Sequence, residues 1–169
     1  PAPCGTAGRQ RPCGSVAGTS RNKAGPCLGD AGHHDLVTRY ADAAIPFGRG
    51  LAAVGPDKSA LPSATGFVFD GVAIMKHKAQ SNDTNEAQYE ANEAISTLRK
   101  GRVWVLAEEA VTSVNDPVYL RHTANAGTTA PGRFRISADT ARADQITNAR
   151  WLTTTTGADE LALLEINTP

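Results

Sequence analysis

The side chains that most often carry chemistry are sparse in this sequence and badly spaced for it. Of the four histidines, His33, His34, His77 and His122, the first two are neighbours that point to opposite sides of an extended chain and chelate a metal poorly unless other ligands join them. Cys4, Cys13 and Cys27 are nine and fourteen residues apart, whereas zinc sites pair cysteines about two to four apart, so free thiols are expected. Glu108 and Glu109 follow an apolar strand. Adjacent carboxylates there face opposite ways, which predicts a solvated strand end and not an acid/base pair. No serine stands in Gly-x-Ser-x-Gly and no Gly-x-Gly-x-x-Gly follows a strand. Gly55-Pro56-Asp57-Lys58-Ser59 has the wrong spacing for a phosphate loop, and its proline removes a donor that such a cradle uses. Asn82-Asp83-Thr84 matches the glycosylation sequon, but without a secretory signal it has no acceptor role. No enzyme, cofactor or metal is therefore expected. What remains is basic: Arg99, Lys100 and Arg102 in one cluster, suited to an acidic partner surface or to solubilising a turn, and Arg9, Arg11, Arg21 and Lys23 near the start.

These two groups of cations sit in different kinds of chain. Residues 1–35 hold seven Gly and four Pro, no aromatic residue, and no carboxylate before Asp30. A segment of that kind buries too little apolar surface to offset the entropy of ordering, so it is expected to be an extended Gly/Pro-rich arm that orders against a partner or stays a solvated tail. Residues 36–169 form the expected β-domain, long enough for a core, since a domain of roughly 150 residues buries about two-thirds of its unfolded surface.

Turn signals punctuate the second part. Residues 44–51, with Pro46, read as an edge strand or strand entry, because proline cannot donate to a ladder. Gly55-Pro56-Asp57 reads as a turn. Residues 65–74 carry Phe67, Phe69, Val72 and Ile74 around Asp70-Gly71, which predicts a strand pair or a bent strand. A polar surface loop follows over residues 77–92. Ala87, Ala91, Ala94, Ile95 and Leu98 have near-helical spacing, but Val103-Trp104-Val105-Leu106 is β-rich. The reading adopted is a strand over 94–98 that turns at Arg99-Lys100-Gly101-Arg102 and pairs with 103–107. Further strands are expected over 117–121, 133–136, 150–155 and 161–166. Many short strands at close spacing predict an all-β fold, a small sandwich or barrel of jelly-roll type behind the arm. Phe67, Trp104 and Trp151 are its expected core anchors, aromatic side chains that bury about 150 to 250 Å² each.

Charge and hydropathy narrow the partners. Seventeen Lys+Arg balance seventeen Asp+Glu, so no strong field exists to release counterions from a nucleic acid. No apolar run reaches the roughly 18 residues of a membrane span, and no h-region follows the early cations, which predicts a chain made in the cytosol.

One series of segments points further. In order these are Ala44-Ile45-Pro46-Phe47-Gly48-Arg49-Gly50, Ser96-Thr97-Leu98-Arg99-Lys100-Gly101-Arg102-Val103-Trp104-Val105, Asp116-Pro117-Val118-Tyr119, Pro131-Gly132-Arg133-Phe134-Arg135 and Ala149-Arg150-Trp151-Leu152, closed by the strand over 161–166. The stretch from Ile45 onward resembles the structural cement, or capsid decoration, proteins of tailed bacteriophages, and the arm finds no match in that resemblance. The resemblance implies a β-domain on the capsid exterior, assembled in the host cytoplasm. It would clamp neighbouring major capsid proteins as a dimer or trimer and stabilise the shell against DNA pressure, without contacting nucleic acid or membrane. The other function weighed is a β-sandwich binding module of the virion surface or tail for carbohydrate or host surface. It needs exposed aromatics on one sheet face, and nine aromatics, most of them in expected strands, supply few.

Overall fold

The computed structural model describes residues 32–75, 87–125 and 130–169. These form an all-β fold of twelve strands: β1 (Asp35–Ala41), β2 (Ile45–Pro46), β3 (Gly50–Ala53), β4 (Lys58–Ala60), β5 (Phe69–Ala73), β6 (Gln88–Tyr89), β7 (Ala94–Ala107), β8 (Tyr119–Arg121), β9 (Phe134–Arg135), β10 (Ala143–Gln145), β11 (Ala149–Trp151) and β12 (Glu160–Asn167). Pairing runs β1–β4–β3–β5–β7, and β7 pairs back to β1, so five strands close a small barrel. Closure removes the open edges that a sheet of this size would otherwise expose. Only β1 and β4 are parallel within the ring. The two-stranded ladder of β2 and β6 lies beside it.

β7 organises the molecule. Its first half belongs to the barrel, while residues 100–107 pair antiparallel with β12 along that strand's whole length. β12 carries β11 on its other side, and Ala107 joins β7 to β9, from which β8 and β10 follow. The strand is fourteen residues long, and the expected turn at Arg99–Arg102 does not exist. Instead an extra residue is accommodated there. Asp35 lies opposite Lys100 and Leu36 opposite Leu98, a bulge that exchanges the two faces of the strand. Leu98 accordingly shares a core with Val103, Val105 and Ala107, although the spacing from 98 to 103 is odd. Gly101 takes φ +132° at the bend, a region essentially reserved for glycine.

Two clusters fill the interior. Ala41, Leu51, Ala73 and Ile95 come from four barrel strands and pack with Ile45 and Tyr89 of the β2–β6 ladder. Tyr89 donates its hydroxyl to the Ile74 carbonyl at 2.7 Å and meets the Phe47 ring edge-on at 4.9 Å. The larger cluster lies between the barrel wall and the outer strands and includes Val72, Leu98, Val103, Val105, Leu120, Phe134, Trp151, Leu164 and Ile166.

Residues 65–74 form a bent strand and not a strand pair: only Phe69–Ala73 is β, with a register break against β3. Gly71 has φ +144° and lies so close to β7 that a Cβ would sit 2.3 Å from the Leu98 carbonyl oxygen. The barrel also uses β1, for which the sequence gives little warning. Its inner positions are Val37, Arg39 and Ala41, and the charged residue among them breaks the apolar alternation by which a half-buried strand is recognised. The arm up to residue 31, with Cys4, Cys13 and Cys27, and the polar stretch 76–86, with His77 and Asn82, lie outside the described residues.

Candidate protein interface

The bulge in β7 turns residues 100, 102, 104 and 106 to the side away from the larger core. The same side of β12 presents Leu161, Leu163, Glu165 and Asn167, and Arg150 extends it on β11. Antiparallel register sets these side chains in rows. Leu106 lies opposite Leu161, Trp104 opposite Leu163, and Arg102 opposite Glu165, which in turn lies opposite Arg150. Trp104, Leu106, Leu161 and Leu163 are all half-buried, and none belongs to either core cluster. The β7–β12–β11 sheet is thus apolar on both faces. One face is packed in the larger core, and on the other, open face the apolar side chains stay partly exposed.

The basic side of this open face is built around one carboxylate. Glu165 accepts from Arg102 Nε at 3.1 Å and from Arg150 Nε at 2.5 Å. Those bonds, Arg150's foremost, hold its carboxyl below the usual carboxylate range. Both side chains remain partly exposed, 43% for Arg102 and 67% for Arg150. Lys100 is exposed at the same end. A hollow of about 320 Å³ lined by Thr147, Asn148, Arg150, Glu165 and Asn167 adjoins it.

The structure divides the basic cluster read from the sequence. Lys100 and Arg102 reach the open face, whereas Arg99 binds inward. Arg99 donates to the Pro169 carbonyl at 2.5 Å, its own carbonyl accepts from Thr168, and its Nε lies 3.9 Å from Asp70. Asp70 is buried on β5 and also meets Ser59 of β4 at 2.6 Å and Arg39 of β1 at 3.2 Å. Partners from three other strands of the ring, β1, β4 and β7, meet at this carboxylate, which places it inside the barrel. Arg9, Arg11, Arg21 and Lys23 lie outside the described residues.

The expected core anchors also separate. Trp151 is 1% exposed in the larger core. Phe67 is half-buried against that core, its ring 6.4 Å from His122. Trp104 is not a core anchor, because the bulge at residue 99 puts it on the opposite face from Val103 and Val105. The sequence conceals the rest of the open face for a related reason. Leu-Ala-Leu-Leu-Glu-Ile is apolar at both parities, so alternation cannot say which leucines point to the core.

Glu108 and Glu109 are not a solvated strand end. The strand stops at Ala107, alternation lapses, and both carboxylates turn towards Arg135, at 3.5 and 3.1 Å. Glu108 also receives Arg121 Nε at 2.9 Å, and Arg121 reaches Asp139 at 2.6 Å. Burial opposes charge on Arg121, but the hydrogen bonds it donates to Glu108 and Asp139 outweigh it and raise its pKa. Asp139, Thr140 and Ala141 run consecutively in the left-handed region, with φ of 44°, 54° and 62°. The network anchors that strained turn at Asp139. With each acid committed to a guanidinium, the cluster ties loops together and offers no free base.

Among the described residues no group of three or more His, Cys, Asp or Glu is placed to hold a metal ion, and no helix is long and apolar enough to cross a membrane.

A family model described as structural cement protein (E217 gp24/Pam3 gp6) matches residues 22–167. Among solved structures, a chain of one described as the capsid of Myoviridae phage XM1 superposes with a TM-score of 0.68, covering 90% of this chain and 98% of that one at 14% identity. At that identity the likeness concerns the fold. No curated protein matches the chain.

Proposed function

We propose, from the premise that this chain belongs to the structural cement protein family, that it binds the outside of the phage capsid and clamps neighbouring major capsid proteins against the pressure of packaged DNA. The family makes the chain a capsid-associated structural protein of the virion, and a structural role needs no catalytic constellation. Exterior placement, bridging of subunits and assembly as a dimer or trimer in the host cytoplasm belong to the proposal, as does the absence of contact with nucleic acid or membrane. The observation that carries it is the family match, which spans both the barrel and the outer sheet.

Within this reading the division of labour follows the charges. Residues 36–169 supply the bridging body, and residues 1–35, with Arg9, Arg11, Arg21 and Lys23, act as an arm that reaches a neighbouring subunit. Lys100 and Arg102 contact the capsid, while Arg99 supports them from within the barrel. A module for carbohydrate is less well served, because Trp104 is the single aromatic on the open face among the described residues and a sugar platform stacks on several. The test is a reconstruction of intact particles, with mass analysis of the same preparation. Density of this β-domain outside the shell, in fixed stoichiometry with the major capsid protein and touching more than one subunit, is expected. Its presence at the tail alone would reject the proposal.

A further inference from the structure

We infer that His122 is a proton-operated latch: when its ring takes up a proton it fastens to Asp144 and ties the outer strands β8 and β10 to the loop that enters barrel strand β5. His122 follows β8 and is 5% exposed. Its Nδ1 shares a hydrogen bond with Thr123 Oγ1 at 2.9 Å. Its buried Nε2 has no hydrogen-bond partner and faces Asp144 Oδ1 on β10 at 3.6 Å, beyond the roughly 3.2 Å limit of a good N–H···O bond. Asp144 already holds the approach to β5, since its carboxylate accepts from the Gly66 N–H at 2.7 Å and from Thr65 Oγ1 at 3.0 Å. The ring of Phe67, next in that loop, stands 6.4 Å from the imidazole. One carboxylate therefore sits on the seam between barrel and outer sheet, with an unused ring nitrogen turned towards it.

A neutral imidazole leaves this geometry unsatisfied in either tautomer. With the proton on Nδ1 the Nε2 lone pair points at a carboxylate, and with the proton on Nε2 that N–H finds no acceptor within range. The imidazolium carries a proton on both nitrogens. Nδ1 then donates to Thr123 Oγ1, while a small movement of the ring makes a charge-assisted bond from Nε2 to Asp144. A buried charge is tolerated where it is paired, and the other charged side chains around it are engaged elsewhere. Arg121 on β8 binds Glu108 and Asp139, Arg133 before β9 binds Asp159, and Arg135 on β9 binds Glu108 and Glu109. Arg142 before β10 acts on Asp139, and its carbonyl accepts from the His122 and Thr123 amides. Thr65, Gly66 and Phe67 bring no titratable group. Asp144 is the ion-pair partner of His122 among the described residues. Imidazole changes charge between about pH 5 and 8, so the seam is tighter at the acid end of that range than at the alkaline end.

The experiment is amide hydrogen exchange of the full chain at about pH 7.5 and about pH 5.5, on either side of imidazole titration, each corrected for the intrinsic exchange rate. The Gly66 amide, bonded to Asp144, is the reporter. In the wild-type protein its opening is expected to be about fivefold or more rarer at the lower pH, the order of effect of one added charge-assisted hydrogen bond. His122→Gln keeps a polar side chain but takes up no proton, and it should lose this response. His33, His34 and His77 are unchanged in that variant, so the loss assigns the response to position 122. Asp144→Asn removes the charge that the imidazolium meets and should also abolish the response. Because the Asp144 side chain is 31% exposed, this variant keeps the proposal testable even if His122→Gln fails to fold. Equal corrected protection of Gly66 at the two pH values in the wild-type protein, or weaker protection at the lower one, would overturn the latch. A wild-type response retained by either folded variant would overturn it as well.

Discussion

At the scale of single residues, two tryptophans take opposite roles. Trp151 sits in the larger core with Phe134, Leu164 and Val103. Its replacement by alanine is therefore expected to cost about 3 to 5 kcal/mol, read as a large fall in the denaturant midpoint. Trp104→Ala should leave that midpoint close to wild type, and equal losses in the two variants would place Trp104 in the core after all. Asp139 supplies a second residue-scale prediction. The Arg121 hydrogen bond foremost holds its carboxyl below the ordinary value. A carboxyl depressed in this way contributes stability above its unfolded pKa, near 4, and that contribution is lost as pH falls through the lower folded value. Asp139→Asn should therefore lower stability at pH 7 and flatten the decline below about pH 4. An acid limb as steep as wild type would show that the ion pair is energetically idle. Neither point was legible in the sequence. The choice between Trp104 and Trp151 depends on one bulged residue, and the Arg121–Asp139 pair depends on a left-handed turn that Ser-Ala-Asp-Thr-Ala does not announce.

The elements were legible wherever pairing is local or the apolar run is strong. Expected strands at 117–121, 133–136, 150–155 and 161–166 overlap β8, β9, β11 and β12. The failure at Arg99–Arg102 has a specific cause. A basic Arg-Lys-Gly-Arg segment has turn composition, but a two-residue hairpin of the favoured type needs φ above zero at consecutive positions, and here Gly101 takes it while Lys100 does not. The chain therefore bends and continues. Gly101→Ala should cost about 1 to 3 kcal/mol, because φ is +132° and the new Cβ would meet His34 Cβ at 3.1 Å. A variant as stable as wild type would mean that β7 relaxes at this point without penalty. Barrel closure itself was beyond the sequence, since it rests on β1 pairing with β4 and β7, and β1 lines its inner face with Arg39 for the buried Asp70.

For the whole molecule, the described barrel closes from Asp35 onward. Deletion of residues 1–29 should leave the thermal midpoint of the β-domain nearly unchanged while weakening its attachment to capsids. A large loss of melting temperature would instead make the arm integral to the fold. The central claim concerns the shell. A protein that binds the assembled lattice and bridges its subunits favours the closed state by mass action, and many individually weak sites sum over the particle. The direct measurement is genome retention by particles depleted of this protein, followed as DNA release during a temperature ramp and after osmotic shock. Depleted particles of normal geometry are expected to release DNA at lower temperature, and addition of the purified wild-type protein to restore resistance. Retention equal to that of complete particles under both challenges would contradict the cement role.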